Sequence, residues 1–423
     1  MSLLIKKVTI ANAGQDEIQL ADVWIENGTI KQIGQDLKTS AEREIDGQGK
    51  VLLPGMYDMH VHLREPGAEV KETIASGTEA AINGGITGLV MMPNTTPCID
   101  SAAIVRTIRE IAAEDSRIPL QIAGSITKGR AGVELSGVDG MRKLGVKMLT
   151  DDPSPVADPS VLMRAMEYAS ELGLFFASHC ATPELQNDRA INHGEISYQL
   201  GIKGTPACGE EMCIDRDIRL AQHAGAHVHI QHVSTAAGVE IIRQWKARGA
   251  SVSAEVTPHH LMFDESCIGN YDTNFKVCPP LRLRDDCEAL LAGLNDGTID
   301  VIATDHAPHT PFEKLQDFMT APNGIIGLET ALISLFDRFV SEGKLSWSTL
   351  AASFSANPRK LMGEAPAVIA EGEAANLVLF DPAGETTFSA ANFKSNSQNT
   401  PFIDQTLKGA VELVVLGDKT LKA

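Results

Sequence analysis

The chain has 423 residues, with 36 lysines and arginines against 55 aspartates and glutamates, and a formal net charge of −19 at pH 7. A surface of this charge repels nucleic acid and anionic membranes, so we expect neither as a partner. A small anionic substrate is compatible with it only if a local cationic clamp binds that substrate.

The two ends of the chain both show apolar residues at every second position, which predicts short half-buried strands. At the N-terminal end the segments are "LIKKVTIAN", "ADVWIENG" and "TIKQIGQDL", and at the C-terminal end "AANLVLFDP" and "AVELVVLGDKTL". The N-terminal segment has no long apolar core and no small-residue cleavage site, so it predicts a strand rather than a signal peptide. We expect residues 1–53 and 368–423 to form one composite small β domain, a β-sandwich.

Between these ends the pattern changes to continuous apolar runs that alternate with amphipathic helical segments such as "SAAIVRTIREIAAE" (101–114). Continuous runs suit strands that are buried on both faces, and their alternation with helices favours a parallel sheet. Eight such runs predict an α/β fold, a closed (β/α)₈ TIM-like barrel over residues 54–367. The runs are "VLLPGMYDMHVHL", "GITGLVMMPN", "IPLQIAGSI", "GVKMLTDD", "LGLFFASHC", "AHVHIQHVS", "ASVSAEVTPHH" and "IDVIATDHAPH".

Polar side chains collect at the C-terminal ends of six of these runs. Because all strands of such a barrel end at the same rim, these side chains should converge on one cavity although they are far apart in sequence. They are His60, His62, Asp151, Asp152, His179, His232, His259, His260, Asp305, His306 and His309.

The two histidines of "HVH" lie two residues apart, so both can project from the same side of a strand. A single histidine such as His229 is most simply explained as a hydrogen-bonded core residue. The whole set is different, because burying so many ionisable groups is costly unless a cation compensates them. Imidazole and carboxylate ligands suit Zn²⁺, with Mn²⁺, Co²⁺ or Fe²⁺ as alternatives.

Nine motifs occur in an order and spacing that identify a known family. They are "DMHVHLREPG" (58–67), "MMPNTTP" (91–97), "TDD" (150–152), "SHC" (178–180), "IQHVST" (230–235), "EVTPHHL" (255–261), "PPLR" (279–282), "ATDHAPH" (303–309) and "GLET" (327–330). With them the chain resembles the amidohydrolase superfamily and, within it, the dihydroorotases of the long bacterial type. The resemblance extends from about residue 5 to the C-terminus.

The resemblance implies a zinc-dependent site with two ions. His60, His62 and Asp305 would bind one ion, His179 and His232 the other, and Asp152 would bridge them. Related amidohydrolases use a carboxylated lysine as the bridge, and Lys147 lies close to the corresponding spacing. The residues therefore leave Lys147 open as the bridge, and Asp151 as well, although Asp152 matches the family position.

The reaction implied is the reversible cyclisation of N-carbamoyl-L-aspartate to L-dihydroorotate and water, a step of de novo pyrimidine biosynthesis. A metal-bridging hydroxide would be the nucleophile, and Asp305 would be the catalytic acid and base. The family also implies a homodimer, with aspartate carbamoyltransferase as a candidate partner. Seven scattered cysteines without a CxxC motif predict reduced thiols and a cytoplasmic location.

Four residues are candidates for binding the substrate. Arg64 offers a bidentate fork to a carboxylate, Asn94 offers an amide, and His309 resembles the family's carboxylate-binding histidine. Cys278 stands where most relatives carry an asparagine, and a thiol is the weaker hydrogen-bonding group. This departure leaves open how the substrate ring is bound.

Two alternatives remain beside this hypothesis. Dihydropyrimidinase, hydantoinase and allantoinase open cyclic amides with the same kind of metal centre, and Lys147 and Cys278 keep them under consideration. A non-catalytic, dihydroorotase-like scaffold subunit is the other alternative, but such a protein would be expected to have lost metal ligands that are all present here.

Overall fold

The computed structural model describes residues 1–15, 19–186 and 191–422. Within these ranges the strands are β1 Ser2–Ile10, β2 Gln19–Glu26, β3 Thr29–Gly34, β4 Arg43–Asp46, β5 Val51–Pro54, β6 Met56–Val61, β7 Ile86–Met91, β8 Leu120–Ile122, β9 Met148–Leu149, β10 Phe175–Ser178, β11 Val228–Ile230, β12 Val252–Val256, β13 Val301–Ile302, β14 Asn376–Phe388, β15 Gln405–Leu416 and β16 Lys419–Lys422.

The α-helices of the described chain are α1 Ile74–Asn83, α2 Ala102–Asp115, α3 Val138–Arg142, α4 Pro159–Glu171, α5 Glu195–Gln199, α6 Cys208–Ala224, α7 Ala236–Ala247, α8 Pro258–Met262, α9 Arg284–Asn295, α10 Pro311–Lys314, α11 Ala331–Leu335, α12 Trp347–Ala351 and α13 Asn357–Leu361. Two π-helical segments, Phe336–Val340 and Ala352–Ala356, follow α11 and α12. Short 3₁₀ turns occur at Lys128–Arg130, Pro183–Leu185, Glu265–Ile268 and Thr273–Phe275.

Strands β6 to β13 form the barrel. They pair in parallel as β6-β7-β8 and as β9-β10-β11-β12-β13. Parallel bridges from Gly124 to Leu149 and from Val61 to His306 join these two sheets into a ring. Each of the eight predicted runs contains one of these strands, so the predicted fold class is confirmed.

The strands of the two chain ends form a second, eight-stranded sheet. Its order is β16-β15-β14-β5-β1-β2-β3, and β4 pairs with β1. β14 and β15 run antiparallel from the pair Asn376–Leu416 to the pair Phe388–Gln405. The sheet has its own apolar core, to which Val23 and Leu377 contribute side chains that are at most 1% exposed. The predicted composite β unit is present as a sheet, while the boundaries at residues 53 and 368 stay a prediction.

The first apolar run is not one strand, as predicted, but two. β5 pairs with β1 and β14 of the terminal sheet, and β6 begins the barrel after a break at Gly55. The Gly55 N–H donates to the carbonyl oxygen of Asn376 at 2.9 Å. A Cβ atom at this position would collide with the side chains of Asn376 and Thr87. The close approach of two chain segments, which a local pattern does not reveal, therefore places the break here.

Helix α4 shows how the outer layer covers the strands. Asp158 caps it by accepting the Ser160 N–H at 2.8 Å, and Pro159 takes the first helical position, where a missing N–H does no harm. The buried residues follow at helical spacing and form the stripe Leu162, Ala165, Met166 and Ala169. The helix packs against β10, the strand that leads into His179.

No helix among the described residues has the length and apolar character needed to cross a membrane. All seven cysteines lie in the described part of the chain, and none of them forms a disulfide.

Candidate functional site

Six side chains gather at the C-terminal rim of the barrel, and we call them the histidine cluster. They come from the ends of β6, β9, β10, β11 and β13, and each residue is at most 9% exposed. The cluster consists of His60, His62, Asp152, His179, His232 and Asp305. All six were predicted from the sequence as metal ligands, and the structure brings them together.

One half of the cluster lies around Asp305. Its Oδ1 atom is 2.9 Å from Nε2 of His62 and 3.5 Å from Nε2 of His60. These three residues place one ligand atom each within 4.8 Å of one another, so they could share an ion.

The other half lies around Asp152. Nδ1 of His179 and Nε2 of His232 are 2.8 Å apart, and they lie 3.2 and 3.4 Å from Asp152 Oδ1. The second oxygen, Oδ2, points to the first half, where it is 3.7 Å from Nε2 of His60 and 3.4 Å from Nε2 of His62. Asp152 therefore stands between the two halves with one oxygen toward each.

The cluster fits a divalent metal. Nε2 of His60 and Oδ2 of Asp152 are buried and have no hydrogen-bond partner among the described residues. Buried polar groups are almost always satisfied, so two unpartnered atoms that face one another suit a bound cation. Imidazole nitrogens and carboxylate oxygens are the donors that zinc accepts in catalytic sites.

The charges of the cluster compensate one another in the absence of metal. Burial opposes ionisation, but His60, His179 and His232 hold the pKa of Asp152 well below its usual value. Burial also opposes ionisation of Asp305, while His60 and His62 lower its pKa to about 2. Burial would lower the pKa of His60, but Glu255, Asp305 and Asp152 raise it well above its usual value. Metal binding at His60 therefore has to displace a proton.

The structure separates Asp152 from the other two candidates for a bridging ligand. Lys147 precedes β9, and its Nζ donates to the carbonyl oxygens of Met362 at 2.7 Å and Gly363 at 3.4 Å, away from the cluster. Asp151 accepts the backbone N–H of Ile126 at 2.8 Å and that of Thr127 at 3.0 Å. Its carboxylate supports the neighbouring strand end rather than the cluster.

Asp58, which the sequence analysis did not single out, ties the two sides of the rim together. Its carboxylate accepts the N–H and the hydroxyl of Thr304 at 3.1 and 2.5 Å and the N–H of His60 at 3.1 Å. It thereby connects β6 to the segment that carries Asp305, whose backbone has the uncommon φ of +48°. In the sequence, the only pointer to this role was the position of the aspartate, two residues before "HVH".

A cavity of about 340 Å³ opens beside the cluster. Asp152, His62 and Asp305 line one part of it. The four residues predicted to bind substrate line another part, namely Arg64, Asn94, Cys278 and His309. Three of the predicted metal ligands and all four predicted substrate-binding residues thus face one space.

Arg64 and His309 meet in this cavity. Arg64 Nε donates to the Pro308 carbonyl oxygen at 3.3 Å, and Nη2 lies 3.5 Å from His309 Nε2. Burial lowers the pKa of Arg64 to about 10, so the guanidinium is charged at neutral pH. Burial and the charges of Arg64 and Lys71 lower the pKa of His309 to about 2, so that ring is neutral.

Asn94 and Cys278 lie next to predicted metal ligands. The Nδ1–H of His62 donates to Asn94 Oδ1 at 2.8 Å, so a ligand in the cavity would meet the NH₂ group of Asn94. The Cys278 sulfur lies 3.8 Å from Nε2 of His179.

Two other histidines at the strand ends, His306 and His260, have structural partners. His306 accepts the N–H of Gly327 at Nδ1, 3.1 Å away, and its Nε2 lies 3.0 Å from Glu72. His260 donates through Nε2 to the Pro279 carbonyl oxygen at 3.0 Å. His259 is buried, and its Nε2 has no hydrogen-bond partner among the residues that the structure describes.

Comparisons with known proteins point to one family. The family described as Dihydro-orotase-like matches residues 49–237. A dihydroorotase of Trichlorobacter lovleyi is 42% identical over 99% of this chain and 99% of its own length, and one of Caldanaerobacter subterraneus subsp. tengcongensis is 42% identical over 98% and 96%. The crystal structure of a dihydropyrimidinase from Brevibacillus agri superposes with a TM-score of 0.86 at 25% identity, and covers all of this chain and 95% of the other.

Proposed function

The chain belongs to the dihydroorotase family, and from this premise we propose that its cavity carries out the reversible cyclisation of N-carbamoyl-L-aspartate to L-dihydroorotate and water. In the hydrolytic direction a nucleophile attacks the ring carbonyl, the bond to the ring nitrogen breaks, and that nitrogen receives a proton. Ring closure is the reverse. This is the ring-forming step of de novo pyrimidine biosynthesis.

We propose zinc as the metal and the histidine cluster as its ligands. His60, His62 and Asp305 would hold one ion, His179 and His232 the other, and Asp152 would contact both. When bound, such ions supply a nucleophile at neutral pH and polarise a carbonyl oxygen. The unpartnered atoms of His60 and Asp152 support the assignment.

Asp305 is proposed as the catalytic acid and base. It lies at the border between the cluster and the cavity, where its carboxylate can reach both the metal ligands and a bound substrate. It would take the proton of the attacking nucleophile and deliver that proton to the leaving ring nitrogen. In ring closure it would remove the proton from the carbamoyl nitrogen.

Arg64 is proposed to bind the free carboxylate of the substrate. It is a charged group that lines the cavity together with the cluster, and a guanidinium binds a carboxylate with two parallel hydrogen bonds. The NH₂ group of Asn94 would add a donor. His309 is neutral and would contribute one N–H or one lone pair, and Cys278 would contact the ring only weakly.

One observation carries this proposal: the cavity that borders the histidine cluster also contains an arginine suited to a carboxylated substrate. The test is to prepare metal-free protein, add Zn²⁺ and assay dihydroorotate, dihydrouracil and allantoin side by side. We expect zinc-dependent turnover with dihydroorotate far above that with the other two. Turnover mainly of dihydrouracil or allantoin would contradict the proposal.

Dihydropyrimidinase activity is the alternative that the dihydrouracil assay tests. The structure is similar to that of a dihydropyrimidinase, and the reactions of both enzymes open a cyclic amide. Dihydrouracil has no carboxylate, so Arg64 would have no partner on it. A scaffold without activity is the other alternative, and fewer than about half an equivalent of bound zinc with no turnover would favour it.

The homodimer, the association with aspartate carbamoyltransferase and the cytoplasmic location stay predictions from the sequence.

A further inference from the structure

A column of hydrogen-bonded polar side chains begins at the histidine cluster and continues into the barrel wall. Nδ1 of His60 lies 2.5 Å from Glu255 Oε1, and the other oxygen of Glu255 lies 3.0 Å from Nε2 of His229. All three residues are completely buried. His229 and Glu255 lie on the neighbouring strands β11 and β12, and His60 lies on β6.

The column continues toward the opposite end of the barrel. His229 Nδ1 is 2.8 Å from the Ser253 hydroxyl, which is 2.9 Å from Nε2 of His227. Nδ1 of His227 is 2.9 Å from the hydroxyl of Ser251. His227 is partly buried and Ser251 is exposed, so the column runs from the cluster to the surface.

When Glu255 is a carboxylate, which can accept but not donate, and the rings of His229 and His227 are neutral, the hydrogen atoms of this column fit only one direction of donation. Nε2–H of His229 must then donate to Glu255, so Nδ1 of His229 accepts from the hydroxyl of Ser253. That hydroxyl accepts from Nε2–H of His227, whose Nδ1 accepts from Ser251. At the other end, Nδ1–H of His60 donates to Glu255, so Nε2 offers its lone pair to the cluster once it has lost its proton.

The competing arrangement is less favourable. Gln231 Nε2 lies 3.2 Å from His60 Nδ1 and could donate to it, which would put the hydrogen on Nε2 of His60. Glu255 is much closer, and its Oε1 also accepts the backbone N–H of His232 at 3.2 Å. A charged acceptor at 2.5 Å decides the position of the hydrogen on His60.

We propose that Glu255 is a positioning residue that fixes the ring of His60 and the backbone of His232, and that the column of His229, Ser253 and His227 holds Glu255 in place. The proposal rests on the metal centre of the proposed function. Because His60 and His232 lie in different halves of the cluster, Glu255 would prepare both halves for metal binding. Carboxylates that hold a ligating histidine in this way commonly matter 10- to 100-fold for metal affinity.

The first experiment measures zinc affinity of metal-free protein by competition with a chromophoric chelator. We expect Glu255→Gln to weaken zinc binding by roughly 10- to 100-fold, because an amide cannot accept from His60 and His229 at once. Glu255→Asp should recover part of the loss. Thr87→Val is the matched control, since it also removes a buried polar group of a barrel strand but does not contact the cluster.

A purely structural role would lower the unfolding free energy of Glu255→Gln and Thr87→Val alike and leave zinc affinity unchanged. Zinc affinity of Glu255→Gln within about threefold of wild type would therefore overturn the inference but not the proposed function. A wild-type protein that binds no zinc would overturn both.

The second experiment measures wild-type protein and uses variants only to assign the signals. In wild-type protein with ¹⁵N-labelled histidine, the ring shifts report which nitrogen carries the hydrogen, and His229→Asn and His227→Asn assign the signals. We expect both rings to carry it on Nε2. A ring of His229 with the hydrogen on Nδ1 would overturn the direction of the column, and with it the role of Glu255.

Discussion

The barrel contains two buried groups of side chains whose spacing would suit a metal, and their chemistry differs. The first is the histidine cluster. The second, the thiol cluster, consists of Ser178, Cys180, Cys213, Arg216 and Asp217. In the thiol cluster the ligand atoms of Cys180, Cys213 and Asp217 lie within 4.8 Å of one another, as those of His60, His62 and Asp305 do in the histidine cluster.

The thiol cluster contains a positively charged side chain that compensates its aspartate. Arg216 Nε donates to Asp217 Oδ1 at 2.7 Å, and Nη2 lies 3.4 Å from the Cys213 sulfur. Ser178 donates its hydroxyl to the other oxygen of Asp217. Burial and the adjacent Cys213 raise the pKa of Cys180 well above its usual value, so this thiol keeps its proton.

The comparison shows that ligand spacing alone does not identify a metal site. What separates the two groups is the state of their polar atoms, because the histidine cluster has buried atoms without a hydrogen-bond partner, whereas Asp217 of the thiol cluster is paired with an arginine. Substitutions in the histidine cluster, in the thiol cluster or beside them test whether this difference decides which of the two binds metal.

The largest expected effect comes from substitution of Asp305, and Asp217 of the thiol cluster provides the matched control. Asp305→Asn should lower kcat by roughly 10³-fold or more, because an amide cannot accept the proton in the reaction. Asp217→Asn removes a carboxylate that is more deeply buried than that of Asp305, yet it should leave kcat within about threefold of wild type and lower only stability. Steady-state kinetics with dihydroorotate measures both. Turnover of Asp305→Asn within tenfold of wild type would contradict the assigned role.

Acid should lower the unfolding free energy of metal-free protein through His259, which is buried beside the histidine cluster. Burial, with His232 and His60 nearby, lowers the pKa of His259 to about 4 from 6.5. As pH falls below 6.5 the unfolded chain binds this proton before the native protein does, so stability is lost between pH 6.5 and 4. In metal-free protein, the loss of unfolding free energy over this range should be smaller in His259→Gln than in wild type by about 3 kcal/mol.

Urea unfolding at pH 7 and at pH 4 tests the role of His259. Equal losses in wild type and His259→Gln would show that the native pKa of this residue is not lowered.

The sequence could predict which side chains meet at the rim because barrel topology turns strand ends into neighbours. His60, His179 and Asp305 could be placed together from three separate motifs for that reason, and the family prediction is confirmed. The choice between Asp152 and Lys147 depended on which end of β9 each residue occupies, and residue spacing does not determine that.

The supporting residues were beyond prediction for a different reason. Asp58 and Glu255 act through contacts that cross between strands distant in sequence, and such contacts depend on the closed barrel. The break at Gly55 likewise follows from the packing of the terminal sheet against the barrel. Local patterns report which face of a strand a residue occupies, but not the partner that it meets there.

Two arginines differ in whether a carboxylate of the protein already occupies them. Arg64 lines the cavity, whereas Arg216 is occupied by Asp217. Arg64→Ala should raise KM for dihydroorotate by roughly 10- to 100-fold, the loss expected for a hydrogen bond to a charged group, with little change in zinc content. Arg216→Ala should leave KM unchanged and reduce stability. An unchanged KM in Arg64→Ala would mean that another group binds the carboxylate.

The smallest expected effect concerns the thiols themselves. The double variant Cys180→Ser and Cys213→Ser changes both sulfur ligands of the thiol cluster, which is directly adjacent to His179. Because Asp217 is already paired with Arg216 and Cys180 is protonated, the wild-type group offers a metal too little negative charge. We therefore expect two equivalents of zinc in wild type and in the double variant, with affinities within about twofold. Loss of one equivalent, measured by elemental analysis after dialysis against zinc, would show that the thiol cluster binds metal and that compensation by an arginine does not distinguish the two groups.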